Sequence, residues 1–210
     1  MTAARAPLAR AGLLAVALTV CLASCGWLRR APQLEEKVDL IAVLPLERLE
    51  PSPGKEDTLP RGAEQVVTAQ IYRTLAESHR WRFVPDLRVQ DALSRIPTGG
   101  SIEARAQALG RAVGADAVLY GTVERFVERK GGEYGAKAPA SVAFSLSLVS
   151  VQSGKILWQG RFAETQQPLA ANLFQFWMFW RGGPRWFSAA ELARLGVERL
   201  LDDLARRLPD

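Results

Sequence analysis

Val38-Asp39-Leu40-Ile41-Ala42-Val43-Leu44-Pro45-Leu46 is the stretch of the 210-residue chain that decides its fold. Its apolar residues are nearly continuous over the length of a strand, which is typical of a strand that is covered on both faces of a sheet. Pro45 ends the run, because proline has no N–H to donate to a ladder. The stretch therefore predicts an interior strand of a mixed sheet.

Helical and strand patterns alternate after this strand. Val67, Ile71 and Leu75 repeat at helical spacing and predict one face of a helix. Further patterns predict a short strand over 81–84, helices over 87–96 and 101–113, strands over 117–127, 141–151 and 156–162 around a Gly-rich hairpin tip, and a helix over 188–208. We predict an α/β fold in two or three layers: a mixed β-sheet packed with helices, ending in a three-strand meander and a long C-terminal helix.

The first residues have the organisation of a secretory signal. Arg5 and Arg10 precede an uncharged apolar run over 11–22, which is shorter than the about 20 residues of a transmembrane helix and suits a signal sequence. The run ends in Leu22-Ala23-Ser24-Cys25, which resembles the lipobox of bacterial lipoproteins. The resemblance implies cleavage between Ser24 and Cys25 and lipid on Cys25; an ordinary signal peptide with an incidental cysteine is the alternative.

The lipoprotein resemblance also implies where the protein resides. Several acyl chains, palmitate among them, would give a stable membrane anchor, since one chain alone holds only marginally. Gly26 stands where an aspartate would favour retention in the inner membrane, so we expect the periplasmic face of the outer membrane, with the inner membrane as the alternative. The expected domains are a signal peptide (1–24), a lipidated tether (25–36) and a single periplasmic domain (37–210).

Composition excludes several classes of site. The formal net charge of +5 is spread along the chain without a basic stripe, so we expect no nucleic-acid partner. Cys21 leaves with the signal and Cys25 carries lipid, and His79 is the single histidine. We therefore expect no disulfide, no metal site, no cofactor and no catalytic residue. The carboxylates that could be considered for an acid–base pair are expected to lie on the solvated surface: Glu124, Glu128, Asp202 and Asp203.

Three segments together resemble a family of bacterial envelope lipoproteins. They are Ile41-Ala42-Val43-Leu44-Pro45-Leu46, Leu109-Gly110-Arg111-Ala112-Val113-Gly114-Ala115-Asp116-Ala117-Val118-Leu119-Tyr120-Gly121-Thr122-Val123 and Leu148-Val149-Ser150-Val151-Gln152-Ser153-Gly154-Lys155-Ile156-Leu157-Trp158. The pattern, over about 37–163, is similar to the curli-secretion lipoprotein, the lipoprotein activators of penicillin-binding proteins and the amino-terminal domain of TolB. Members of this group are adaptors, activators or assembly parts, so the resemblance implies a binding role.

The segment 174–187 departs from this family pattern and is unusually aromatic. Its seven aromatic residues surround Gly182-Gly183-Pro184. One interpretation is that the segment caps an end of the sheet beneath the terminal helix. The other is contact with a partner, a second copy or a membrane surface, since large exposed apolar patches mark such sites. The candidate contact residues are Phe174, Trp177, Phe179, Trp180, Trp186 and Phe187.

Two classes of function follow from these observations. The first is a non-enzymatic, membrane-anchored adaptor, or an assembly or secretion accessory, that works through contacts with an envelope protein or in a homo-oligomer. The alternative is a hydrolase acting on an envelope polymer. A hydrolase requires a cleft with convergent polar groups, whereas an adaptor requires an exposed apolar face.

Overall fold

A computed structural model describes residues 37–49, 59–132, 135–166 and 186–208. Strand β1 lies within the apolar stretch over 38–46. All of the described residues belong to one folded unit, Leu34–Asp210. Their elements are β1 Leu40–Val43, β2 Glu47–Arg48, α1 Ala63–Ser78, β3 Arg82–Phe83, α2 Asp86–Leu93, α3 Ile102–Val113, β4 Ala117–Val127, β5 Lys130–Gly132, β6 Gly135–Ala138, β7 Ser141–Ser150, β8 Ile156–Thr165 and α4 Ala189–Arg207. None of the described helices is long and apolar enough to cross a membrane.

The main sheet is mixed, with the strand order β3-β1-β4-β7-β8. β1 pairs in parallel with β3 on one side and with β4 on the other, which confirms that it is an interior strand. β4, β7 and β8 form the antiparallel meander that the alternating patterns predict. The fold class read from the sequence is therefore confirmed.

Two features add to the predicted elements. After Pro45 the chain returns to the edge of β4 as β2, where Glu47 pairs with Thr122. The Gly-rich hairpin tip is itself a two-stranded sheet of β5 and β6. Both additions are two to four residues long, too short to leave a periodic signal in the sequence.

Helices cover both faces of the sheet. On one face, α1 and α4 bury their apolar stripes against β1, β4, β7 and β8, including the predicted Val67, Ile71 and Leu75. On the other face, α2 and α3 pack against Ala42 of β1, Leu44 directly after it and Val118 of β4. The near-continuous apolar run of β1 follows from this double burial.

Local signals set the ends of the helices. Ser101 accepts a hydrogen bond from the Ala104 N–H, and Gly114 ends α3 in the left-handed conformation at φ 70°. Ser188 and Glu191 form a complete capping box at the start of α4. Ser, Gly and the Ser–Glu pair are the residues that favour these helix ends, and the capping box places the start of α4 at the corner where the aromatic segment ends.

Candidate protein-contact site

The described structure contains only some of the predicted site residues. Ser24, Cys25, Phe174, Trp177, Phe179 and Trp180 lie outside the described residues. Trp186 and Phe187, at the end of the aromatic segment, lie inside them. Trp186 is half-buried, so part of its surface is accessible.

Phe187 belongs to the core instead of the contact surface. Its side chain is only 3% exposed and packs in the cluster that joins α1, α4 and the sheet. The residue directly precedes the N-cap of α4, Ser188, so it is carried inward where the helix docks. This corrects its inclusion among the candidate contact residues, because a buried ring has no surface to offer a partner.

Gln166, directly after β8, is fastened to the end of the aromatic segment. Its Oε1 accepts a hydrogen bond from the Phe187 N–H at 2.7 Å, and its own N–H donates to the Ala140 carbonyl at 3.1 Å. The Gln166 side chain is fully buried. Gln166 and Phe187, the described residues on either side of 167–185, therefore lie together at one corner of the fold. A glutamine within a polar stretch carries no sequence signal for such a contact, which spans 21 residues.

Two charged residues of the β4–β5 connection hold the same corner. The Arg129 guanidinium donates to the Trp186 carbonyl. The Glu128 carboxylate accepts from the Ala189 N–H at 3.1 Å, where it also meets the positive end of the α4 dipole. Glu128 was expected to be only solvated, and the structure gives it this second role. Hydrogen bonds from one buried and two charged side chains thus hold Trp186, Phe187 and Ala189 at this corner.

Two of the other three candidate carboxylates, Glu124 and Asp203, also have structural partners. Glu124 forms a bidentate ion pair with Arg161, with a shortest contact of 2.6 Å. Asp203 accepts from the Trp158 indole at 3.0 Å and lies close to Arg206 and Arg207, which corrects its placement on a purely solvated face. Within the described ranges, no group of three or more His, Cys, Asp or Glu side chains could hold a metal ion.

A small crevice opens at the carboxyl end of β1, between α1 and α2. It has a volume of about 210 Å³ and is lined by Pro45, Leu46, Glu64, Gln65, Thr68, Ala69, Tyr72, Asp86 and Gln90. The Tyr72 hydroxyl donates to the Val43 carbonyl at 3.3 Å. Burial, and then the charge of Asp86, raise the pKa of Tyr72, so the phenol stays protonated. The polar side chains that line the crevice mostly form hydrogen bonds with neighbouring groups of the fold.

A family of known function matches the centre of the chain. Residues 62–163, just under half of the sequence, match the family model described as peptidoglycan-synthase activator LpoB. The match begins before α1 and ends within β8. No curated protein matches the chain by sequence.

Solved structures of bacterial proteins are similar at low identity. The PelC dodecamer from Paraburkholderia phytofirmans is 16% identical, with a TM-score of 0.46 over 87% of this chain and 97% of that chain. Lipoprotein GNA1162 from Neisseria meningitidis is 19% identical, with a TM-score of 0.47 over 68% and 93%. The LpoB C-terminal domain from Salmonella enterica is 20% identical, with a TM-score of 0.41 over 64% and 88%.

The family match agrees with the motifs that suggested envelope lipoproteins. Two of the three motif segments, those that begin at Leu109 and Leu148, lie entirely inside the matched residues. The chain is thus similar, through its central α/β core, to the peptidoglycan-synthase activators of the LpoB family.

Proposed function

We propose that this protein is a lipid-anchored envelope lipoprotein that stimulates a peptidoglycan synthase by direct protein contact and performs no catalysis itself. The observation that carries the proposal is the family match over residues 62–163. This range holds three of the four described helices and most of the sheet. The resemblance therefore extends over most of the described elements and is not limited to a short motif.

The proposed anchor is lipid on Cys25, after cleavage behind Ser24. Lys37, where the described structure begins, lies twelve positions after Cys25. A fully extended chain gains at most about 3.5 Å per residue, so this tether reaches at most about 40 Å. The domain would then work close to the periplasmic face of the outer membrane, and its partner would have to approach that surface.

The proposed contact is the aromatic segment, with Phe174, Trp177, Phe179, Trp180 and Trp186 as its candidate residues. Gln166 and Arg129 support it by fastening residues on both sides of 167–185 to one corner. A loop held on a rigid scaffold is a common way to present binding residues. Tryptophan is also enriched among the residues that dominate binding energy.

Reconstitution with a peptidoglycan synthase from the same bacterium tests the proposal. We expect the full chain, in detergent micelles, to raise the rate at which the synthase polymerises labelled lipid-linked disaccharide-peptide precursor. Heat-unfolded protein serves as the control. An unchanged rate contradicts the activator role. Release of soluble fragments from finished polymer by the protein alone would support the hydrolase alternative.

Self-association is tested in the same preparation. Contact between copies through the aromatic segment would appear as a concentration-dependent rise in mass by sedimentation. A protein that remains monomeric and still stimulates the synthase supports contact with the synthase directly. An oligomer that forms without any effect on the synthase would assign the segment to assembly between copies.

A further inference from the structure

A second surface, at the β3 edge of the sheet, has the features of a binding site for an extended segment of a partner. β3 pairs with β1 on one side, and in the order β3-β1-β4-β7-β8 it is the terminal strand. The Val84 N–H donates to the Ile41 carbonyl. Backbone groups of successive strand residues point to opposite sides, so the N–H and C=O of Phe83 face away from the sheet. β3 is only two residues long, so what the edge offers to an added strand is this one backbone pair of Phe83.

A groove of about 380 Å³ runs along this edge. Its lining combines apolar and basic side chains: Leu40, Trp81, Arg82, Phe83, Val84, Pro85, Arg88 and Val113. Trp81 and Phe83 are half-buried, and next to them Leu87 of α2 is 84% exposed. Tryptophan and arginine are the residues enriched at the energetic centres of protein interfaces.

The groove carries two arginines that have no direct ion-pair partner in the described part of the chain. Arg82 and Arg88 are both exposed, and neither forms an ion pair with any residue that the structure describes. Of the nearby carboxylates, Asp39 pairs with Lys37, Asp116 accepts from the N–H groups of Asp39 and Leu40, and Asp86 accepts from the Gln90 amide. Two guanidinium groups at one groove favour a partner that brings carboxylates, which match their planar geometry.

The alternation of β3 specifies the pattern of that partner. Trp81 and Phe83 lie two residues apart and pack toward the cluster of α1 and α4, whereas Val84 packs toward α2 and α3. Successive strand residues point to opposite faces, so Arg82 lies on the same side of β3 as Val84 and Arg88. A strand added beside β3 would therefore meet arginines on one face and aromatic rings on the other.

We propose that the β3 edge binds an extended segment of the partner protein in which acidic and apolar residues alternate. The backbone groups of Phe83 would hold the segment as an added strand, and Arg82 and Arg88 would pair with its carboxylates. This inference rests on the proposed function, since it assigns a second contact of the same accessory role, at a site separate from the aromatic segment.

An NMR titration of the full chain in detergent micelles tests the proposal without any synthase. The probe is a capped peptide of alternating glutamate and valine, and the control peptide has lysine in place of glutamate. We expect the acidic peptide to shift the Phe83 amide and the Trp81 indole resonances, and the lysine peptide to leave them in place. Shifts that map to another surface, or equal shifts with both peptides, would overturn the proposal.

Charge-reversal variants give the second arm. Arg82→Glu with Arg88→Glu should weaken binding of the acidic peptide about tenfold or more, because like charges then face each other. The double variant Arg61→Glu with Lys155→Glu makes the same change of charge at two exposed positions outside the groove and should keep the affinity within about twofold. Equal losses in both would overturn the proposal. Arg82→Gln with Arg88→Gln only removes the charges, so its affinity for the acidic peptide should lie between the affinities of the two charge-reversal variants.

Anionic vesicles separate a membrane from a protein partner. Vesicles of phosphatidylcholine and phosphatidylglycerol are titrated against the wild-type chain and the Arg82→Glu, Arg88→Glu variant. If vesicles shift the groove resonances and the acidic peptide does not, the surface contacts lipid and the proposal is wrong. If the peptide binds and the protein fails to stimulate the synthase, the activator role is overturned and the peptide site stands. If the protein stimulates the synthase and the peptide does not bind, the activator role stands and the peptide site is overturned.

Discussion

Gly121 lies in the middle of β4, where the neighbouring strand approaches unusually closely. A Cβ atom built at this position would lie 2.0 Å from the backbone oxygen of Ser145 on β7. A glycine inside a strand is typical of a bulge or a close backbone approach, and the structure shows the close approach. The constraint is steric and involves backbone, so rotation of a side chain cannot relieve it.

Gly121→Ala should therefore destabilise the protein by about 3 kcal/mol, as an overpacked interior does. Gly132→Ala is the matched control, because no atom lies within 4 Å of a Cβ built there. Urea unfolding of both variants measures the difference. Similar free energies of unfolding for the two alanine variants would contradict the close approach of β4 and β7.

Asp203 joins α4 to β8 through the Trp158 indole. Burial by itself would raise the pKa of Asp203, but the indole hydrogen bond, Arg207 and Arg206 together hold it below its ordinary value. A carboxyl whose pKa is lower in the folded state stabilises the fold at pH values above the unfolded pKa of about 3.9. That contribution is lost as the pH falls through the folded pKa.

Asp203→Asn should thus lower the free energy of unfolding by about 1 kcal/mol at pH 7, a small effect because the side chain is partly exposed. The gap to the wild type should close as the pH falls below about 3.9. The neighbouring, exposed Asp202 gives the control, and Asp202→Asn should have almost no effect at either pH. A gap that persists unchanged in acid would show that the charge of Asp203 is not the cause.

At the scale of elements, the corner that joins β8 to α4 is held by the buried side chain of Gln166. Gln166→Leu removes the acceptor of the Phe187 N–H and leaves that group buried without this partner. The expected loss is about 1–3 kcal/mol of stability, with faster amide hydrogen exchange at Phe187. Gln159 is an exposed glutamine of β8, the strand that Gln166 directly follows, and Gln159→Leu should change stability by under about 0.5 kcal/mol. Unchanged exchange at Phe187 in the Gln166 variant would contradict the fastening.

The aromatic segment allows a test that separates core from contact. Trp177→Ala, Trp180→Ala and Trp186→Ala should each weaken association with the synthase by about 2 kcal/mol or more and leave the melting temperature nearly unchanged. Trp158→Ala, in the core at 3% exposure, should instead cost about 3–5 kcal/mol of stability. If all four variants lose melting temperature alike, with no separate binding defect, the segment caps the sheet.

Elements with a regular hydrophobic period were predictable from the sequence, and contacts between distant residues were not. The apolar run of β1, the alternation of β4, β7 and β8, and the caps at Ser101 and Ser188 each carry a local signal. The bonds from Phe187 to Gln166 and from Trp158 to Asp203 join residues 21 and 45 positions apart. Only the folded arrangement of β8 against α4 brings these pairs together, so Phe187 and Asp203 were misplaced.

For the whole molecule, the proposed lipid anchor on Cys25 would determine where any contact can be made. Cys25→Ser should abolish incorporation of labelled palmitate and processing behind Ser24. Cys21→Ser should leave both unchanged, because Cys21 lies within the predicted signal peptide. Metabolic labelling followed by immunoprecipitation measures the lipid. Equal label in the Cys25→Ser protein would show that the lipobox is incidental.

Activation of a peptidoglycan synthase by direct contact is the role that we propose for this protein. It is tested by the rate of glycan polymerisation by a purified synthase of the same bacterium, titrated with the wild-type chain and with the Trp177→Ala, Trp180→Ala, Trp186→Ala triple variant. We expect a saturable rise in rate with the wild type and a rise that requires far more of the well-folded variant. A synthase rate that stays constant over the whole wild-type titration would show that the protein is not an activator.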